Sequence, residues 1–230
     1  MVRIAAWQLH RIDTMSLQAD LDAIDSQLPQ AAREAINAQI ARMVADGAAG
    51  QALRPGEEAP NFILPDAHGN AVALRALLMG GPAILVFYRG SWCPYCSAEL
   101  AAYQLALPEI ASRGARLVAI SPEVPDASLS PDEIDNLGFE VLSDAGNRVA
   151  RSFGLVYTLD EDGRALLRGH GVDLTRYNAD ESWELPVPAV FILDRKRRIA
   201  FASVAPDFRR RADPADVIAA LDAMETSRHG

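Results

Sequence analysis

The sequence predicts an α/β protein with a mixed central sheet flanked by helices, preceded by a β-hairpin and an appended N-terminal helical segment. Three observations predict it. A continuous apolar run, Ala83 to Tyr88, reads as a strand buried on both faces and feeds straight into Cys93-Pro94-Tyr95-Cys96. Helical spacing follows, and then a second buried run at Leu117 to Ile120. Two strand-like runs, Val190 to Leu193 and Ile199 to Val204, close the sheet as a hairpin around a basic turn.

In chain order, residues 1–54 read as a helical extension and 55–230 as the main domain. Residues 1–14 are expected to be a disordered extension. Leu17, Leu21, Ile24 and Leu28 recur at helical spacing before Pro29, and Ile36, Ile40, Met43 and Val44 repeat the pattern up to Gly47. These two stripes must cover either their own domain or a partner chain, as in a homodimer; the first is favoured. Asn61 to Leu64 and Ala71 to Leu74 flank the polar turn Asp66-Ala-His-Gly-Asn70, a hairpin pattern. Leu100, Tyr103, Leu107 and Ile110 mark a helix ending near Gly114. Helical stretches around Ile134 and Val149 flank a short strand at Val141-Leu142. The segment from Tyr157 to Trp183 has few periodic features and is expected as a long excursion. Pro214 opens a last helix through Val217, Ile218, Leu221 and Met224.

The chain has 230 residues, with 31 acids against 22 bases and a net charge of −9. That balance argues against a nucleic-acid surface. The basic run Arg195 to Arg198 reads as a solvated turn. No apolar run approaches the ~20 residues that span a bilayer, and the apolar stretch Ile4 to Trp7 is too short for an export signal. The expected compartment is therefore the cytoplasm, where thiols are kept reduced and a C-x-x-C pair reads as a redox dithiol or half a metal site.

The motif's position carries its chemistry. Pro94 suits the first helical position, because its missing N–H would be unpaired there anyway. Cys93 then becomes the N-cap and Cys96 the third helical residue, both at the positive end of the helix dipole. That field stabilises a thiolate below the ~8.5 of a free thiol. One helical turn apart, the sulfurs can close a disulfide. A zinc site would need two more ligands from His10, His68, His170 and His229, and none has ligand spacing with another. An inert buried pair is disfavoured by the strand-to-helix junction, which leaves a redox-active dithiol. Leu185-Pro-Val-Pro188 precedes the late strand, and its prolines mark the entrance to that strand.

From about Gly56 to Val204 the chain resembles the alkyl hydroperoxide reductase/thiol-specific antioxidant (AhpC/TSA) family of the thioredoxin-fold superfamily. The resemblance rests on Ala59-Pro-Asn-Phe-Ile-Leu-Pro65, the hairpin with Gly69, the strand into Trp92-Cys93, and Pro188-Ala-Val-Phe-Ile-Leu-Asp194. It is strongest to the peroxiredoxin-like branch that carries a C-x-x-C. The resemblance implies a thioredoxin-like fold and thiolate attack on peroxides or disulfides without a bound cofactor. It also implies a thioredoxin- or glutathione-type reductant, and it favours a cis bond at Pro188. Trp92 is expected to cover the disulfide.

Departures from the family leave alternatives open. The peroxiredoxin pattern P-x-x-x-T-x-x-C, overlaid here, puts Arg89 at the proline, Cys93 at the threonine and Cys96 at the peroxidatic cysteine. The family's peroxide-polarising arginine stands where this chain has Pro188. Arg89 is either its substitute or a salt-bridging surface residue. Helix electrostatics favour Cys93 as the attacking sulfur and the overlay favours Cys96. The peroxiredoxin-like scaffold tips the expectation slightly to Cys96. The leading expectation is a thiol-dependent peroxidase cycling through a Cys93–Cys96 disulfide. Its rivals are a thioredoxin-like disulfide oxidoreductase and a dithiol redox sensor acting through the N-terminal helices.

Overall fold

In a computed structural model of the chain, residues 16–125 and 136–226 are described. The expected extension 1–14, the helical stretch around Ile134, and His10 and His229 lie outside them. The two N-terminal stripes form α1 (Leu17–Ser26) and α2 (Gln30–Ala45), with Pro29 as the N-cap of the second. Then come β1 (Ile63–Pro65) and β2 (Ala71–Ala73), paired antiparallel, and α3 (Leu74–Gly80). The hairpin turn is held by Asp66, whose carboxylate accepts the N–H groups of His68 and Asn70 at 2.9 and 2.7 Å. The core elements are β3 (Ala83–Phe87), α4 (Pro94–Ser112), β4 (Arg116–Ser121), β5 (Glu140–Ser143) and α5 (Arg148–Ser152). The chain continues through β6 (Val156–Thr158), α6 (Glu161–Gly169), α7 (Leu174–Tyr177) and β7 (Glu184–Pro186). It closes with β8 (Ala189–Leu193), β9 (Ile199–Val204) and α8 (Pro214–Thr226).

The main sheet has the order β5-β4-β3-β8-β9. β3 pairs parallel with β4 and antiparallel with β8, so Phe87 lies opposite both Ile120 and Ala189. This central place explains the unbroken apolar run, since every residue of β3 is buried. The strand's two-residue alternation sorts the core into two layers. Ala83, Leu85 and Phe87 meet α3, the β1–β2 hairpin, Phe153 and Phe191 on one face. Ile84, Val86 and Tyr88 meet α4, α8 and both cysteines on the other.

The N-terminal helices join that second layer. Leu17, Leu21, Ile36 and Ile40 are buried in the same cluster as Cys93 and Cys96. Burial of such side chains stabilises by roughly 1.5–3 kcal/mol each, well beyond what helix propensity gives segments this short. Polar contacts fix the docking. The Leu17 N–H donates to Asp213 at 3.0 Å, and Asp25 accepts from the Tyr95 hydroxyl at 3.2 Å and from Arg209 at 3.3 Å. The amphipathic stripes thus cover their own chain.

Two expectations are corrected. The excursion from Tyr157 to Trp183, in which few periodic features are expected, holds regular elements, with β6 pairing β7 and two capped helices between them. Asp160 accepts the Gly163 N–H at 2.8 Å and Asp173 accepts the Thr175 N–H at 3.2 Å. Three-residue strands are too short to show a period, which hid them. Their apolar residues, with Met43 of α2 and Trp183, form a third core cluster. The second correction is Pro188. No cis peptide bond occurs among the described residues. The Val187 N–H donates to Leu155 at 2.7 Å and the Pro188 carbonyl accepts from Ala205 at 2.9 Å. The chain therefore runs extended from β7 into β8, the conformation a residue before proline prefers.

The basic turn is a charged hairpin whose guanidinium groups are used locally. Arg195 donates to the Met79 carbonyl at 2.9 Å, Arg197 pairs with Glu58, and Arg198 donates to the Gly56 carbonyl at 3.1 Å. No helix among the described residues is long and apolar enough to cross a membrane.

Candidate active site

β3 delivers the chain into the site, and the helix start forms as its residue types dictate. Cys93 is the N-cap in extended conformation, Pro94 is the first helical residue, and the Ser97 N–H donates to the Cys93 carbonyl at 3.1 Å. Gly90 precedes it with φ of 153°, and a Cβ there would stand 2.2 Å from the Trp92 indole nitrogen. Only glycine lets the indole fold back over this turn. Both cysteines are free thiols and both are buried, at 1% and 0% exposure.

Each sulfur has a cation. Arg89 is buried at 5% exposure and sets Nη1 3.9 Å from the Cys93 Sγ. Its guanidinium stacks 4.0 Å from the Phe208 ring centre and 4.9 Å from that of Trp92. Arg89 is thus a residue of the site, and the surface salt-bridge reading is set aside. Arg211, in the loop between β9 and α8, places Nη2 3.4 Å from the Cys96 Sγ. It also pairs with Glu99, one turn beyond Cys96 on α4, and both side chains are 1% exposed. Below the motif, Glu123 accepts the Ser91 N–H and hydroxyl, each at 2.9 Å.

Residues 55–202 match the AhpC/TSA family model. The chain belongs to the AhpC/TSA family. Its relatives include a Mycobacterium tuberculosis (strain H37Rv) protein that carries a peroxiredoxin name, 29% identical over 152 residues, 59% of this chain and 96% of that protein. A thiol-disulfide oxidoreductase ResA of Halalkalibacterium halodurans is 26% identical over 142 residues, 59% of this chain and 78% of its own. Among solved structures, the peroxidoxin BcpB of Mycobacterium tuberculosis superposes with a TM-score of 0.58 at 23% identity, covering 74% of this chain and 97% of that one. The fold is the thioredoxin fold that peroxiredoxins share, as the sequence predicts.

In this AhpC/TSA-family site the two thiols are electrostatically unlike. Burial alone would raise Cys93, but the Cys96 thiol hydrogen bond and the cations Arg89 and Arg211 outweigh it and bring the pKa to about 5. The Cys96 N–H adds a smaller pull from a geometry too poor for a regular cap bond. Cys96 is pushed well up, by burial, by donating its proton to Cys93 and by the charge on that sulfur. Burial lifts both nearby carboxyls to about 7, Glu99 against the pull of Arg211 and Glu123 against its bonds from Ser91. These opposite directions favour a Cys93 thiolate held by a neutral Cys96 thiol.

Alkylation of the reduced protein should therefore reach half its maximal rate near pH 5 and stay flat above pH 7. Free cysteine still gains reactivity up to ~8.5. A midpoint near that value would remove the thiolate. The modified sulfur, read by peptide mapping, should be Cys93.

The structure brings Arg89, Trp92, Cys93 and Cys96 together. Pro94 is exposed at the helix start. Pro188 is buried just before Ala189, whose partner Phe87 ends β3. The sequence reading missed Arg211, Glu99, Glu123, Tyr157 and Phe208. One pattern could have found the ion pair. Glu99 stands at helical spacing between Cys96 and Tyr103, and an acid on that buried face demands a buried cation. Nothing marks Arg211 out from Arg209 and Arg210 beside it. Among the described residues no cluster of His, Cys, Asp or Glu could hold a metal ion.

Proposed function

We propose that this chain is a thiol-dependent peroxidase that reduces hydrogen peroxide or organic hydroperoxides through a Cys93–Cys96 dithiol–disulfide cycle. A thioredoxin- or glutathione-type reductant closes the cycle, in a reducing compartment such as the cytoplasm. The observation that carries this reading is the buried Cys93 sulfur with the Arg89 guanidinium beside it, at 3.9 Å. The Cys93 thiolate attacks the terminal oxygen of the hydroperoxide. The O–O bond breaks, an S–O bond forms, and the departing alkoxide takes a proton to become the alcohol. The Cys96 sulfur then attacks Cys93, forming the S–S bond as the sulfenic hydroxyl leaves as water. Glu99, whose partner Arg211 lies 3.4 Å from the Cys96 sulfur, and Glu123 both sit near 7 and both feel the charge of Cys96, which makes them the acceptors we assign to its proton. Two reductant thiols reopen the disulfide and leave as a disulfide of their own.

Magnitudes show what else the site must supply. A pKa of about 5 makes Cys93 ~99% thiolate at pH 7, against ~3% for a free thiol, a gain of about 30-fold. Sulfur nucleophilicity falls by about 0.4–0.5 log units per unit of pKa, which costs about the same factor. The low pKa thus gives resting readiness but almost no net rate. Rate enhancement has to come from groups that stabilise the leaving oxygen, and Arg89, beside the Cys93 sulfur, is the first of these.

The second reading is a thiol-disulfide oxidoreductase, favoured by the low-pKa N-cap cysteine and by the ResA-named relatives. Burial of both sulfurs argues for a small substrate over a protein disulfide. Rapid mixing of the reduced protein with hydrogen peroxide or tert-butyl hydroperoxide should quench or enhance Trp92 fluorescence faster than free cysteine is consumed. Mass spectrometry should then show an intramolecular Cys93–Cys96 bond. A rate no faster than that of free cysteine would leave the oxidoreductase reading.

A further inference from the structure

We propose that Tyr157 and Trp92, alongside Arg89, are hydrogen-bond donors to the hydroperoxide at Cys93, supplying what the family's missing threonine would give. This assignment rests on the peroxidase reading and names the residues that hold its substrate. Buried polar groups are almost always paired. Around the two cysteines four are not: the Tyr88 hydroxyl, which lies toward Cys96 and Ser121, the Tyr157 hydroxyl, the Trp92 indole N–H and the Arg89 Nε are all buried without a hydrogen-bond partner among the described residues. The last three lie on or around the Arg89 side chain.

These three reach the site from separate elements. Arg89 lies two residues past the end of β3 and has Nη1 3.9 Å from the Cys93 sulfur. Trp92, in the turn before α4, lies 4.9 Å from that guanidinium and packs against the core cluster that contains Tyr157. Tyr157 comes from β6, fixed by its pairing opposite Leu185. Its hydroxyl feels the charges of Arg89, Cys93 and Cys96 together. Three donors that no hydrogen bond accounts for thus lie around the guanidinium that sits beside one reactive sulfur.

Their chemistry selects the ligand. The indole and the guanidinium can only donate, and burial keeps the Tyr157 phenol protonated, so it donates too. The set is rich in donors, with the phenol oxygen as its one possible acceptor. It matches an oxygen on which negative charge develops, as on the departing oxygen when S–O forms and O–O breaks. Retaining unpaired donors is costly to folding, and that cost is offset only if a ligand pairs them.

Tyr157→Phe removes the hydroxyl and keeps the ring. The rate constant with tert-butyl hydroperoxide should fall on the order of 10²-fold, the usual loss for one such donor. Iodoacetamide alkylation, which develops no charge on an oxygen, should keep its rate and its midpoint near pH 5. A variant within about twofold of the wild type toward hydroperoxide would overturn the assignment while leaving the peroxidase reading intact. So would an equal loss in both reactions, since that marks a structural role. Wild-type protein no faster than free cysteine would remove the peroxidase reading and this one together. Should Tyr157→Phe not fold, Trp92→Phe carries the same expectations and the same refutations.

Discussion

Cys93→Ser is expected to lose hydroperoxide reactivity by on the order of 10³-fold or more, the scale seen when a nucleophile is removed. Cys96→Ser should keep the first step and stop there. The asymmetry follows from the site. Cys93 collects the guanidinium of Arg89, the field of Arg211 and the Cys96 thiol proton, whereas Cys96 is pushed well up and stays neutral. Without Cys93, the charge that suppresses the Cys96 thiolate is also gone, but burial still holds that thiol protonated. A sulfenic-acid probe after a stoichiometric pulse of peroxide distinguishes the two sulfurs. Labelling should appear at Cys93 in the Cys96→Ser protein and be absent at Cys96 in the Cys93→Ser protein. The reverse pattern would instead support the family overlay, with Cys96 as the peroxidatic cysteine.

Much of this frame is legible in the sequence, for reasons that can be named. β3 and β8 are central strands buried on both faces, so their residues form unbroken apolar runs that a short window detects. Pro94 between the cysteines sets the helix start, and with it the N-cap place of Cys93. The illegible parts share one cause: long-range pairing. β6 and β7 are three-residue strands that exist because residues almost thirty positions apart meet, as Tyr157 does Leu185. Arg211 reaches Cys96 across 115 positions, and nothing local separates it from its arginine neighbours. Pro188 shows the opposite error. A resemblance favoured a cis bond there, while the extended path between two strands is satisfied by the ordinary trans form.

Arg211→Met is expected to cost about 3–5 kcal/mol, because it strands Glu99 in a site where both side chains are 1% exposed. At about 2–4 °C per kcal/mol for a domain this size, the melting temperature should drop by roughly 6–20 °C. The loss should depend on pH in a definite direction. Glu99 already sits at about 7, above the ordinary carboxyl value of 4.5, because burial outweighs the pull of Arg211. Without that pull its folded-state pKa climbs further, so the folded state binds more protons than the unfolded one. Stability then falls as pH rises through the interval from 4.5 to beyond 7. The variant should accordingly be closest to wild type in acid and furthest from it above neutrality. Adding Glu99→Gln removes the titrating charge, so the double variant should recover part of the loss and flatten the pH dependence. Cys96 supplies a second readout. Arg211 is the largest influence lowering its pKa, so without it disulfide closure after the peroxide step should slow while the first step, at Cys93, changes less. Urea unfolding at pH 6 and pH 8, with stopped-flow fluorescence on the same samples, measures both. Equal stability losses at the two pH values, or full stability in the single variant, would show that the Glu99–Arg211 contact is not the buried ion pair it is taken to be.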